Sequence, residues 1–197
     1  MSYKKHLQKD KRLAAILKGD THVLTLQKNI PIRLMASIIS QQLSTKVAAI
    51  IFDRFLALYP GKKPTIQKVL DTSEETLRGI GISYAKIKYI YAVANFCQVH
   101  TITDKKLAQL PDEAIIDLLV QINGVGKWTV QMLLMFSLGR ENVFAVDDLG
   151  IQQAMVKLYR LDPSNKKELK AKMLSISEAW SPFKTYACLH LWRWKDA

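Results

Sequence analysis

Ile122-Asn123-Gly124-Val125-Gly126-Lys127-Trp128-Thr129-Val130 is the stretch on which the reading of this chain turns. Upstream of it, Pro111-Asp112-Glu113 opens a helix, since proline is tolerated in a first turn and carboxylates are favoured beside the positive end of the helix dipole. That helix stops at Asn123-Gly124. Downstream, Lys127 to Leu138 is a helix apolar nearly all round, with Val130, Met132, Leu133, Leu134, Met135 and Phe136, which predicts burial at the centre of the fold. Between the two, glycines permit positive φ and a close backbone approach to a ligand, so the amides of Gly124, Val125 and Gly126 can face a phosphate. The helix start adds its own unpaired N–H groups and dipole, Lys127 adds a point charge, and Thr129 lies on the same first turn. A bare Gly-x-Gly between helices is most often an ordinary αα-turn. Here it stands in a basic chain, and the pair Asp147-Asp148 follows in a loop predicted over Val143 to Asp148.

Outward from the hairpin, apolar residues recur at helical spacing and no long run alternates as a half-buried strand would, so the chain reads as all-α. Lys11 to Leu17 is a helix ended by Gly19, and Ile32 to Tyr59 holds one or two helices ended by Pro60-Gly61. Thr72 with Glu75 has the spacing of a capping box and opens a short helix into Arg78-Gly79-Ile80-Gly81. Helices follow at Tyr84 to Val99, Leu149 to Tyr159, Lys167 to Glu178 and Phe183 to Trp194. Leu77-Arg-Gly-Ile-Gly before Tyr84 echoes Ile122-Asn-Gly-Val-Gly before Lys127, and this echo suggests two paired lobes. No linker is rich enough in Pro, Gly or Ser to divide the chain into independently folding domains.

Lys and Arg number 29 against 17 Asp and Glu, for a formal net charge of +12. That balance points to a polyanionic partner, nucleic acid before membrane. An apolar content of 49% supports one compact unit or two joined lobes and excludes disorder. Cys97 and Cys188 lie far apart in apolar segments, as reduced buried thiols would, outside any metal-ligand spacing or four-cysteine iron–sulfur pattern. The start, Met1 to Arg12, is polar and basic without an apolar leader core, and no stretch is long and apolar enough to cross a bilayer. An intracellular monomer is expected, cytoplasmic and nucleoid-associated, or nuclear in a eukaryote.

Taken together, Ile122 to Val130, Val143-Phe-Ala-Val-Asp-Asp-Leu-Gly-Ile and Ile38-Ile-Ser-Gln-Gln-Leu-Ser resemble the signature of the helix-hairpin-helix (HhH-GPD) DNA glycosylase superfamily. The similarity is greatest to its 3-methyladenine DNA glycosylase II (AlkA-type) branch and runs from about Ile32 to Tyr186-Ala-Cys-Leu-His-Leu-Trp. The resemblance implies one glycosylase unit over 1–197, built of two closely packed helical lobes with an active-site cleft between them and the hairpin at about 118–138. The N-terminal sheet domain of some AlkA-type enzymes has no counterpart in it.

The resemblance also implies residue roles. Asp148, the second of the pair, is the catalytic carboxylate and Asp147 is structural; Trp128 and Trp192 line the base pocket. Gly124, Val125, Gly126, Lys127 and Thr129 bind the DNA backbone. Gln42 and Leu43 fill the gap left by a flipped base. Carbonyls of Val120, Ile122 and Val125 are positioned to hold Na+ or K+, and no further cofactor is required. The implied substrate is double-stranded DNA containing alkylated bases, and the implied reaction is hydrolytic removal of alkylated purines in base excision repair. Relatives with lyase activity carry a lysine where this chain has Trp128, so base release without strand cleavage is expected. Two departures stand out: Asn123 replaces a common proline, and Gln42 is polar where an apolar wedge is usual. Two other readings are a non-catalytic DNA-binding hairpin module and a glycosylase for another lesion. His190 reads as an interior histidine with no catalytic role.

Overall fold

The computed structural model describes residues 2–19 and 22–197, so Met1 of the basic start lies outside the described residues. Thirteen α-helices follow in order among them: α1 Tyr3–Leu7, α2 Lys11–Ala14, α3 Ile30–Ser40, α4 Thr45–Ala57, α5 Ile66–Leu70, α6 Glu74–Gly79 and α7 Tyr84–Val99. They continue with α8 Asp104–Ala108, α9 Asp112–Leu119, α10 Lys127–Phe136, α11 Leu149–Tyr159, α12 Lys166–Glu178 and α13 Lys184–Lys195, and no strand occurs among the described residues. The all-α expectation holds. Most starts carry a polar cap: Ser44, Thr65, Ser73, Ser83, Thr103, Asp148 and Asn165 each accept a backbone N–H of the turn they open.

One expected cap is displaced by a residue. The Ser73 hydroxyl, not that of Thr72, accepts the Thr76 amide at 3.2 Å. The Thr72 hydroxyl instead donates to the Lys68 carbonyl at 2.7 Å, finishing α5, a helix the periodicity did not reveal. Helices α1, α5 and α8 have five residues each and were missed because one turn and a half shows no period.

The chain divides into two compact units. One comprises residues 27–133, and the other joins residues 1–26 to 134–197, the division falling inside α10. In the first unit α7 packs against α3, α5 and α6, and α3 against α4, around Leu34, Ile38, Phe55, Leu77, Ile87 and Ile90. Both glycine turns, at Gly81 and Gly124, belong to this unit. The two turns that echo each other in sequence thus lie in one unit, and the second unit is built from the two ends of the chain.

That second unit packs α11 on α13 and α2 on α11. Asp10 ties it together: its carboxylate caps α2 through Arg12 N and Leu13 N and accepts the Tyr159 hydroxyl at 2.6 Å and the Trp180 indole N–H at 3.0 Å. These four donors hold the Asp10 carboxyl below its usual range against the opposing effect of burial. Tyr3 stacks on Tyr186 with ring centroids 4.1 Å apart and brings its hydroxyl to within 3.4 Å of His190 Nε2.

His190 is fully buried against His22 and Tyr3. Burial, then the positive charge of His22, Arg193 and Lys4, pushes its imidazole down to about 4. A depressed histidine contributes stability that is present above the unfolded value near 6.5 and is lost as pH falls toward the folded value. The loss amounts to roughly 3 kcal/mol at most, at 1.4 kcal/mol per pH unit of displacement. Thermal melts between pH 7 and 4 are expected to decline more steeply for the native chain than for His190→Phe, and parallel slopes would remove His190 as the cause. Cys97 and Cys188 are free and buried, with thiols raised by burial to about 11 and about 12, so both are unreactive.

Candidate active site

Asp148 is the N-cap of α11. Its Oδ1 accepts the Ile151 amide at 2.9 Å, and the same oxygen accepts the indole N–H of Trp192 from α13 at 2.8 Å. The carboxylate is half-buried. Two N–H donors and the positive end of the α11 dipole all place positive density beside it. Gly150 makes the geometry possible: a Cβ there would stand 3.1 Å from Asp148 Oδ1, 3.1 Å from Trp192 Cδ1 and 3.2 Å from Trp192 Nε1. A side chain at 150 would push apart the carboxylate and the ring that orients it. Neighbouring Asp147 points elsewhere, to a surface ion pair with Lys170 of α12, a contact of small energetic weight.

Trp192 thus has a role the sequence did not show, as a hydrogen-bond donor to the carboxylate 44 residues away. Its ring also leans on Phe136, with centroids 6.0 Å apart and planes at 32°. Phe136 is 45% exposed, although it belongs to a helix expected to be buried all round. Trp128, Met132 and Phe136 recur at i, i+4 and i+8 and form one accessible stripe, Trp128 being 39% exposed, while Val130, Leu133, Leu134 and Met135 are buried. The spacing was present in the sequence, but uniform apolarity concealed which face was open.

The hairpin lies in the other unit, where α9 ends and α10 begins. Only Gly124 of its two glycines has positive φ, +87°, and a Cβ there would fall 2.3 Å from Cγ of Tyr89 on α7. Gly126 takes no left-handed conformation and has nothing within 4 Å of where its Cβ would be, so its bareness serves the open side of the turn. Val125 turns its side chain into the core and its amide to the Ile122 carbonyl at 3.0 Å. Lys127 and Gly126 are exposed. Thr129, grouped with the DNA-binding residues on sequence grounds, is only 3% exposed, so its hydroxyl is in the interior and does not reach the surface.

The predicted gap-filling residues lie in the same unit, in the short loop between α3 and α4. Gln42 is exposed and holds φ +58°, and Leu43 beside it is 37% exposed. Gln41, which the sequence did not single out, donates from Nε2 to the Gly124 carbonyl at 3.3 Å and so joins this loop to the hairpin. The three residues whose carbonyls are proposed for a monovalent cation, Val120, Ile122 and Val125, follow α9 along the chain at the negative end of its dipole, and the Ile122 carbonyl also accepts the Val125 amide at 3.0 Å. Hard, neutral oxygen donors there suit Na+ or K+ in chemistry.

Trp192→Phe separates the indole N–H from the ring. Removing a hydrogen bond to a charged group costs about 1.5–3 kcal/mol, so turnover is expected to fall about tenfold to a hundredfold with little change in DNA affinity. Single-turnover kinetics beside equilibrium binding reads both; an unchanged rate would show that the carboxylate needs no such support.

Comparison with known proteins bears on the same residues. The family model described as HhH-GPD superfamily base excision DNA repair protein matches residues 35–179, a span holding the α3–α4 loop, the hairpin and Asp148. DNA-3-methyladenine glycosylase 1 of Schizosaccharomyces pombe is 36% identical over 186 residues, 93% of this chain and 80% of that protein. A Bacillus subtilis protein, YfjP, is 33% identical over 166 residues, 81% of this chain, and the chain spans 57% of its length. The solved structure of the fission-yeast 3-methyladenine DNA glycosylase in complex with abasic DNA superimposes with a TM-score of 0.86 at 31% identity, covering 100% of this chain and 98% of that one. A family match over residues 35–179, a relative matched over 93% of the chain and a solved structure matched over all of it place the chain in the HhH-GPD superfamily of base excision DNA repair proteins.

Proposed function

We propose that this chain is a monofunctional DNA glycosylase that extrudes alkylated purines from duplex DNA and hydrolyses their N-glycosidic bonds, with Asp148 as the catalytic carboxylate. The observation that carries the reading is the half-buried Asp148 carboxylate held by the Ile151 and Trp192 N–H groups above Gly150. A base within a duplex is out of reach, so the nucleotide is flipped at an unstacking cost of a few kcal/mol, smaller at damaged pairs. Gln42 and Leu43 occupy the gap. Backbone amides of Gly124 and Gly126, the start of α10 and Lys127 hold a phosphate without reading sequence, while the Val125 amide is kept within the turn by the Ile122 carbonyl. A monovalent cation on the carbonyls of Val120, Ile122 and Val125 would add positive charge for that phosphate.

An N3- or N7-alkylated purine is cationic and already a good leaving group. Stacking on an accessible aromatic face, that of Trp192 beside Phe136 or that of Trp128, adds a cation–π attraction of about 0.5–2 kcal/mol that a normal purine lacks. The chemical step therefore needs no strong acid on the base, only a negative charge facing the deoxyribose as positive charge builds at C1′. Water completes the hydrolysis. No lysine follows Lys127, so no Schiff base forms at that place. The protein acts where cellular DNA is, in cytoplasm and nucleoid or in a nucleus.

A panel of single-lesion duplexes carrying 3-methyladenine, 7-methylguanine, ethenoadenine or hypoxanthine, scored separately for free base and for strand cleavage, tests this. Release of alkylated purines with intact strands is expected, together with no borohydride-trapped complex. Trapping at the level of a lyase control would overturn the hydrolytic reading, and binding without release of any base would leave a DNA-binding module.

A further inference from the structure

The loop that carries Gln42 and Leu43 is braced from below. Helix α3 ends at Ser40, and the last carbonyls of a helix have no partner within it. Two carbonyls at this end, those of Ile39 and Gln41, are met by one side chain: the Lys86 ammonium of α7 donates to them at 2.8 and 2.7 Å. Burial lowers the affinity of this amine for its proton, a cost that a freely solvated surface lysine would not carry. Immediately beyond the clamped carbonyl, Gln42 takes φ +58°, a left-handed conformation that side chains avoid unless surrounding contacts impose it. One turn along the same face of α7, Tyr89 lies under Gly124, and the Gln41 amide reaches the Gly124 carbonyl from the other side.

We propose that Lys86 is a positioning residue for base extrusion. By holding the Ile39 and Gln41 carbonyls it sets the direction in which Gln42 and Leu43 leave α3, and through Gln41 and Tyr89 it registers that probe against the phosphate-binding turn at Gly124. The inference rests on the reading of Gln42 and Leu43 as the residues that fill the gap. Lys86 touches no substrate. It acts because a probe that enters a base stack must arrive at a fixed distance from the phosphate that the hairpin grips, and a single α7 side chain row serves both.

The test uses the full chain with 7-methylguanine in duplex and in single-stranded DNA, the latter needing no base pair to be opened. Lys86→Met keeps the stem and removes the donors. Its single-strand excision and its affinity for undamaged duplex are expected to stay within about twofold of the native chain. Excision from duplex is expected to fall tenfold or more, since misplacement of a positioning group by about 1 Å can cost about a hundredfold. Lys86→Arg, which keeps charge and donors, is expected to recover part of that loss. An unchanged duplex rate in Lys86→Met, or equal falls on both substrates, overturns the proposal. Should Lys86→Met fail to fold, Gln41→Met decides, since it removes only the bond to Gly124: a selective fall on duplex supports the brace and parity overturns it. The double variant Gln42→Ala, Leu43→Ala separates the layers. If it keeps duplex excision, the gap-filling reading itself fails; if it loses duplex excision while Lys86→Met keeps it, only the role of Lys86 fails.

Discussion

Asp148→Asn is expected to lower single-turnover release of 7-methylguanine by about a thousandfold while leaving duplex affinity and melting temperature close to those of the native chain. The rate follows from the charge alone. Two unit charges about 4 Å apart at an effective dielectric of 20 interact by roughly 4 kcal/mol, and each 1.4 kcal/mol in the barrier is tenfold in rate. The fold is spared because asparagine keeps an oxygen where Asp148 Oδ1 now accepts the Ile151 amide and the Trp192 indole, so the cap of α11 survives. Free base measured by chromatography at enzyme excess gives the rate, and a binding titration on the same duplex gives the affinity. A variant that releases base as fast as the native chain would remove Asp148 from the mechanism and leave the hairpin as a binding element only.

The second large effect is expected at the turn. Gly124→Ala should weaken binding to undamaged duplex by tenfold or more, and this loss should be partly repaired by Tyr89→Ala in the same chain. Two separate penalties meet at this position. At φ +87° a Cβ costs about 1–2 kcal/mol through its own backbone, and forcing an extra carbon 2.3 Å from the Tyr89 ring costs about another 1–3 kcal/mol in a packed interior. The turn escapes both by moving, which displaces the Gly126 amide and the start of α10 from a phosphate. Tyr89→Ala removes only the steric part, so a double-mutant cycle should show coupling of about 1 kcal/mol or more, with the backbone penalty persisting. Additive effects of the two substitutions would mean that Tyr89 does not set the turn.

Much of the architecture could be read from short-range signals. Helices α7 and α11 begin and end where predicted, at Tyr84–Val99 and Leu149–Tyr159, because Ser83 and Asp148 cap them and the stop signals beyond lie within a few residues. The same locality explains the misplaced cap at Thr72, since Ser73 and Thr72 offer equivalent hydroxyls and only the packing of α5 decides which is taken. Asp10 went unremarked for a similar reason: its partners Tyr159 and Trp180 are about 150 and 170 residues away.

At the functional residues the division is sharper. The chain of amino acids alone determined the helical class and the hairpin between α9 and α10, because periodicity and glycine between helices are properties of neighbours along the backbone, and the candidacy of Asp148 came from the resemblance of its stretch to the glycosylase signature. Folding in three dimensions decided that Trp192 donates to that carboxylate, that Gly150 must be bare, that Thr129 turns inward and that Lys86 and Gln41 brace the Gln42 loop. Each of these is a contact between segments tens of residues apart, and no local pattern encodes a distance that only the packing of helices sets.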